Sequence, residues 1–421
     1  MTEENKQMGT GEHRSHRKSK KKRKNKFLKF VGKYKMQIAG VVVFFVLLIT
    51  LMVVAFRKTP KKDGTYLIDP TGQHTGQTAP EGKPGALSLQ APHFAAEVEL
   101  PSPAARAWMN SPIAAGANQV LESYRESGQR LDVPAAMELK FDVLSLPKNT
   151  SVVSSKVEVW ETGNAGSPRS YGLGAKDRSV EIWNLKTGTD YRYQVTVYLS
   201  DGTSSGIFGG FRTASGPRLL NIGGLHNVRD FGGWQADDKL LPQGLLYRGS
   251  EADGAVVSHY KITEQGLEEL VLKLGIRTDM DLRPAGKGGA ALGANVAYKA
   301  YGMGDDLFDS TGKGAIARVL GDLADRSNYP VYLHDTDGTD SAAVVCYLLG
   351  ALLGVSEEDL IREYELSALA SEDVSRQNLG AMANQLKEYG SQDLGENVEN
   401  YLLDAGVTAE QIASIREIWL G

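Results

Sequence analysis

Cysteine is nearly absent from this chain, with one residue, Cys346, in 421. A single thiol excludes an intramolecular disulfide and any zinc or iron–sulfur centre built on several cysteines. Long apolar runs are missing everywhere but one place, and basic charge is in deficit over most of the length. Residues 1–35 hold 13 Lys/Arg against 3 Asp/Glu, so the formal charge of -4 divides into +10 for this head and -14 for the remainder. An apolar share of 41% and a charged share of 23% exclude a disordered or fibrous chain. At this length two or three domains are expected.

The one long apolar run is Met36 to Phe56, 21 residues without a charge, interrupted only by Gln37 and Thr50. As a helix it reaches roughly 31 Å, about the thickness of a bilayer's hydrocarbon core. A cleaved signal peptide has a shorter apolar region and a small-residue cleavage site, whereas Arg57-Lys58-Thr59-Pro60 follows here. The expectation is an uncleaved single-pass anchor: a basic cytoplasmic tail at 1–35, a transmembrane helix at 36–56, and residues 57–421 outside the cell membrane by the positive-inside bias. The basic run Arg14–Lys26 then reads as a topology signal touching anionic lipid, and no nucleic-acid partner is expected. Residues 57–91, rich in Thr, Gly, Pro and Gln, have too few apolar side chains for a core and read as a flexible linker.

Between 92 and 215 the apolar residues alternate in short runs: Met137, Leu139, Phe141, Val143; Val157, Val159; Val180, Ile182; Tyr191, Tyr193, Val195, Val197. Period two in short segments separated by Gly, Ser and Asn predicts the antiparallel strands of a β-sandwich. The stretch from Leu185 to Tyr191, leading into YRYQVTVYL, resembles the turn and F strand of fibronectin type III domains. There a tyrosine closes a corner by bonding back to the backbone. Thr187 stands where that family has proline. Ile113–Gly128 has helical spacing and reads as an insertion or N-terminal decoration of the sandwich.

From Leu219 onward strands and helices alternate. Leu245–Tyr247, Ile276–Leu282 and Pro330–Leu333 read as strands, and Ile262–Leu274 and Ser341–Leu353 as helices stopped by Gly275 and Gly354. This predicts an α/β domain at 219–421 with a helical C-terminal half. Four segments in order, Asn227-Val228-Arg229-Asp230-Phe231-Gly232-Gly233, Leu246-Tyr247-Arg248-Gly249, Asp281-Leu282-Arg283 and the run from His334 to Ala343, resemble the bacterial tyrosine/dual-specificity phosphatase family. That family's marks are N-x-R-D-x-G-G, L-x-R-G/S, D-L-R and H-C-x-x-G-x-D-R-T-G.

The resemblance implies a loop in which a cysteine thiolate attacks phosphorus, while backbone N–H groups and an arginine hold the phosphoryl oxygens. This chain keeps His334, Gly338 and Asp340 but has Asp335 in the cysteine's place and Ser341 in the arginine's. The family-equivalent catalytic positions are thus Asp335, Asp340, Ser341, Asp281 and His334. The positions equivalent to substrate contacts are Thr336, Asp337, Gly338, Thr339, Arg229, Asp230, Arg248 and Arg283.

Arg229 and Asp230 read either as a pair holding their loop or as ligand contacts, and Arg248 as the counter-charge to the acidic loop. Three carboxylates, Asp335, Asp337 and Asp340, now stand where a dianion would bind. Two like charges about 4 Å apart repel by roughly 4 kcal/mol at an effective dielectric of about 20. Cys346, inside an apolar helix, reads as a core thiol.

The expected function is a pseudophosphatase that binds or scaffolds an extracytoplasmic protein or cell-envelope ligand and requires no cofactor. The alternative is an active phosphohydrolase, with Asp335-Thr336-Asp337-Gly338-Thr339 read as the D-x-D-G-T of haloacid-dehalogenase phosphatases, Asp335 as nucleophile and magnesium as cofactor. A calcium or magnesium ion held by Asp335, Asp337 and Asp340 is a further alternative.

Overall fold

The computed structural model describes residues 86–421 apart from Asp305 and Ser391. They all fall within one compact unit, 77–421. The expected tail at 1–35, the apolar segment 36–56 and most of the linker 57–91 lie outside the described residues.

Among the described residues no helix is long and apolar enough to cross a membrane. The longest of them, Ser310–Leu323, has 14 residues and reaches about 21 Å, short of a bilayer core of about 30 Å. The membrane-anchored fold class is corrected on this finding. The architecture is a sandwich joined to an α/β domain, and single-pass anchoring has no support in it.

The sandwich is built from β1 (Ser88–Gln90), β2 (Met137–Lys140), β3 (Asp142–Ser145), β4 (Val152–Glu161), β5 (Arg169–Gly174), β6 (Ser179–Ile182), β7 (Asp190–Leu199) and β8 (Ser204–Arg212). β5, β4, β7 and β8 hydrogen-bond in that order into an antiparallel sheet, while β2 pairs with β6 and β1 with β3. Alternation sends Val157, Val159, Tyr193, Val195 and Val197 inward, onto Met137, Leu139 and Ile182. The Tyr191 hydroxyl accepts the Lys186 N–H at 2.9 Å, closing a corner. β1 lies inside the stretch expected to be linker, so the sandwich begins by residue 88.

Two helices, α1 (Pro103–Met109) and α2 (Ala117–Arg125), fall within the segment assigned by sequence to the sandwich. They pack elsewhere. Ala104, Ala105, Trp108, Ala117 and Leu121 are buried in the core of the α/β domain, and the Trp108 indole donates to the Arg362 carbonyl at 3.3 Å.

The α/β domain contributes β9 (Arg229–Asp230), a hairpin of β10 (Gln235–Ala236) and β11 (Lys239–Leu240), β12 (Leu246–Gly249), β13 (Thr278–Asp281), β14 (Ala297–Ala300) and β15 (Val331–His334). The sheet order is β14-β13-β15-β12-β9, parallel except for β9. Its helices are α3 (Glu264–Leu267), running on into the π-helical turn Glu268–Lys273, then α4 (Ser310–Leu323), α5 (Ser341–Leu352), α6 (Glu357–Glu365), α7 (Arg376–Leu386), α8 (Leu394–Ala405) and α9 (Ala409–Leu420). The residues Ala342 to Leu352 are buried apart from the half-buried Val344, because the sheet and the later helices enclose α5. α9 opens on a capping box, Thr408 with Gln411, as the spacing predicts.

The two parts meet through a polar seam. The buried Arg218 donates to Asp230 at 2.7 Å and to the Asn184 carbonyl at 2.9 Å, and the Asn184 amide reaches Glu269 at 2.8 Å. Buried, hydrogen-bonded groups of opposite charge hold the sandwich against the α/β domain in one geometry.

Candidate functional site

β12, β13 and β15 end side by side at Gly249, Asp281 and His334, with Asp281 and Gly249 each level with His334. The carboxyl ends of parallel strands are where an open α/β sheet presents its ligand crevice. The loop from Asp335 to Asp340 leaves β15 here and enters α5.

The loop's carbonyls are held from outside. The Glu251 N–H donates to the Thr336 carbonyl at 3.0 Å, the Asn227 amide to that of Asp337 at 3.1 Å, and the Arg248 guanidinium to that of Gly338. Gly338 has φ +79°, and a Cβ there would stand 2.7 Å from the Gly249 carbonyl oxygen, so only glycine fits. This pinning turns the loop's N–H groups inward.

What they meet is the chain's own carboxylate. Asp335 Oδ1 accepts the N–H groups of Asp337 at 3.1 Å and Gly338 at 2.5 Å, and Oδ2 those of Asp340 at 3.1 Å and Ala342 at 2.9 Å. The side chain is 5% exposed. Burial is the largest influence on it and lifts its carboxyl above the ordinary range, with Asp337 adding to the rise, while the Ala342 and Gly338 N–H groups and Arg248 oppose it.

The other acidic residues of the loop are engaged separately. Asp337 accepts the N–H and hydroxyl of Thr339 at 3.0 and 2.6 Å, and Asp340 is exposed at the start of α5, where Ser341 is the first helical residue. Among the described residues no group of three or more His, Cys, Asp or Glu is placed to hold a metal ion.

Behind the loop lies a buried ion cluster centred on Glu363. Arg229 Nε and Arg248 Nη1 donate to the two oxygens of Glu363 on α6, at 2.8 and 2.7 Å. Arg229 also reaches the Asn227 side chain at 2.5 Å and the Ser367 hydroxyl at 2.9 Å. All three charged side chains are under 5% exposed. Burial works against the Glu363 charge, but Arg229 and Arg248 outweigh it and hold the carboxyl below its usual range.

Neither arginine faces a cleft, so both serve the loop's frame. Asp230 is likewise structural, bound to Arg218 and accepting the N–H groups of Gly232 and Gly244 at 2.8 and 2.7 Å. A signal for Glu363 did exist: it stands three residues after the buried Leu360, on the apolar face of α6.

Asp281 and Arg283, expected to line the pocket, are instead bound to one another and to their neighbours. The Arg283 guanidinium is 1% exposed and contacts Asp281 at 2.7 Å, Asp253 at 2.8 Å, and Glu251. Tyr298 donates to Asp281 at 2.8 Å. Against the opposing effect of burial, hydrogen bonds from Arg283 and from the Ala255 and Gly289 N–H groups bring the Asp253 carboxyl down to about 2. Cys346 is buried, and burial pushes its thiol up to about 12, so it is no nucleophile at neutral pH.

His334, at a family-equivalent catalytic position, is held as a cation beside the loop. Its Nε2 lies 3.0 Å from Asp279 Oδ1 and its Nδ1 3.1 Å from the Asp335 carbonyl. Burial alone would drive the proton off, but Asp279, then Asp281 and that carbonyl, hold it on and raise the imidazole from 6.5 to about 9. A raised basic group contributes stability fully below its unfolded value, here about 6.5, and loses it as pH climbs through about 9. Between those limits the wild-type chain is expected to lose on the order of 3 kcal/mol from this group. Urea unfolding at a series of pH values checks this: the His334→Gln variant shows a flatter dependence across that window.

Residues 220–421 match the tyrosine phosphatase family. Among solved structures, the core catalytic domain of the PP-IP phosphatase SIW14 from S. cerevisiae, in complex with citrate, is similar at 13% identity and a TM-score of 0.23, covering 34% of this chain and 91% of that one. No curated protein sequence matches the chain. The family match spans the four sequence segments, the loop and the helices behind it, from Leu220 to Gly421.

Proposed function

We propose that the tyrosine phosphatase family domain of this chain is a pseudophosphatase, and that the protein works by binding rather than by turnover. One observation carries the reading: the inward N–H groups of the loop close on the carboxylate of Asp335 itself. Donors so arranged attract the oxygens of a phosphoryl group. Here an intramolecular anion, present at the highest effective concentration a ligand can have, takes them. Asp335 is also a poor nucleophile in this pose, with both oxygens accepting two hydrogen bonds each and burial raising its carboxyl. Ser341 leaves the loop without the arginine fork that the family resemblance implies.

The sandwich is in this reading of the fibronectin type III kind, supported by the Tyr191 corner and the β5-β4-β7-β8 order. Modules of that architecture serve many functions, so its ligand is a question for its own surface.

Full-length protein incubated with p-nitrophenyl phosphate, in chelator, magnesium or calcium, is expected to give rates at the protein-free background, unchanged by Asp335→Asn. Metal-dependent hydrolysis that disappears in Asp335→Asn would replace this reading with Asp335-based catalysis.

A further inference from the structure

The open face of the sandwich's larger sheet carries a second pattern. Because Val157, Val159, Tyr193, Val195 and Phe211 point into the core, the intervening residues of β4, β7 and β8 point outward. The pairing aligns them in rows: Trp160 beside Arg192 and Gly210, Glu158 beside Gln194 and Phe208, and Ser154 beside Tyr198 and Ser204. Phe208 is 61% exposed and Tyr198 40%, and Trp160 is half-buried.

With strands about 4.8 Å apart and about 3.4 Å per residue, Trp160 lies roughly 12 Å from Phe208, and Phe208 roughly 14 Å from Tyr198. Between the rings the floor is low and polar. At Gly210 a Cβ would come within 3.3 Å of the Arg192 side chain, so Arg192 lies flat across it. Gln194 donates to Thr196 at 3.2 Å, and Lys156 neutralises Glu158 at 2.6 Å.

Separate aromatic faces set among amide, hydroxyl and charged groups, of which Lys156 and Glu158 are paired and Arg192 is exposed, do not make the contiguous apolar centre that a protein interface uses. They do match a ligand whose every unit has a CH face and a rim of hydroxyls. A ring stacks that face, and the neighbouring amides and hydroxyls take the rim. We propose that this face binds an extended neutral polysaccharide, with Trp160, Phe208 and Tyr198 as stacking platforms and Gln194 as a hydrogen-bonding contact between them. The assignment does not depend on whether the loop at Asp335 turns over phosphate.

The test is calorimetric titration of the full-length protein with three soluble hexasaccharides: β-1,4-linked glucose, β-1,4-linked N-acetylglucosamine and α-1,4-linked glucose. At least one is expected to bind with a micromolar to millimolar Kd. Phe208→Ala and Trp160→Ala are each expected to weaken it by about tenfold or more, while Leu403→Ala, on the exposed side of α8, leaves it unchanged. Unfolding midpoints of the variants within error of wild type show that the loss is one of contact. The proposal is overturned if none of the three binds at millimolar concentration, or if binding survives both aromatic substitutions. It is equally overturned if Phe208→Ala abolishes self-association in sedimentation while no sugar binds, which would make the face a contact between copies of the chain.

Discussion

Glu363→Ala is expected to destabilise the protein by about 3–5 kcal/mol, the cost of breaking a buried ion pair by removing one partner. The size follows from what is left behind. Arg229 and Arg248, both under 5% exposed, share this one carboxylate, and truncation strands two guanidinium groups near each other, with only the weaker pull of Asp335 on Arg248 remaining. Mutual repulsion is already felt: burial, then Arg248, brings the Arg229 guanidinium down to about 10 even with Glu363 in place.

Arg248 also holds the Gly338 carbonyl, so the loop loosens together with the core. For a unit of this size the thermal midpoint falls by roughly 4–7 °C, read by calorimetry or circular dichroism. Glu358→Ala, on the exposed side of the same helix, removes only a pair with Arg362 at 3.2 Å and is expected to stay within about 0.5 kcal/mol of wild type. Equal effects of the two substitutions would mean that the cluster is not the keystone of the loop.

Asp335→Ala is the second large effect, on the order of 3 kcal/mol, because four buried or half-buried N–H groups lose their acceptor at once. Water replaces part of the loss, and an anion replaces more. At matched ionic strength the wild-type midpoint is expected to be the same in phosphate and in chloride, since the donors are taken. The alanine variant is expected to regain part of its loss in phosphate but not in chloride, as RT ln(1 + [L]/Kd) requires of a newly opened site. A wild-type midpoint that rises with phosphate would show that the carboxylate does not fill the loop. Asp337 and the exposed Asp340 remain nearby in the variant, and their charge keeps the recovery incomplete.

Much of the α/β domain was legible because its signals are local. The strands expected at 245–247, 276–282 and 330–333 lie within a few residues of those observed, and the helix from Ser341 begins where expected and ends one residue early at Leu352. Each is marked by an apolar run with a cap or glycine beside it. The helical spacing of 113–128 was legible in the same way, with α2 at Ala117–Arg125. Its address was not: an amphipathic stripe states that a helix has a face to bury and does not name the core that receives it. Trp108 and Leu121 lie against the α/β domain, contacts separated from their partners by more than two hundred positions.

For the candidate site the division is sharper. Residue types alone show that the loop from His334 to Ser341 holds three aspartates and neither cysteine nor arginine, with the one cysteine, Cys346, further along the helix; that Asp335 and Ser341 stand in place of a thiol and an arginine is what the family resemblance implies. Chemistry that needs a thiolate or a guanidinium in that loop is excluded before any coordinate is known. Where Asp335 points is a different matter. Read as a repelling group beside Asp337 and Asp340, it turns out to be the loop's own ligand, because Glu251, Asn227 and Arg248 hold the carbonyls outward and Gly338 permits the turn. Those residues stand about 85 to 110 positions from the groups they hold. Charge on a side chain is a property of sequence, but whether that charge repels or is embraced depends on the direction of backbone dipoles, which only the tertiary structure decides.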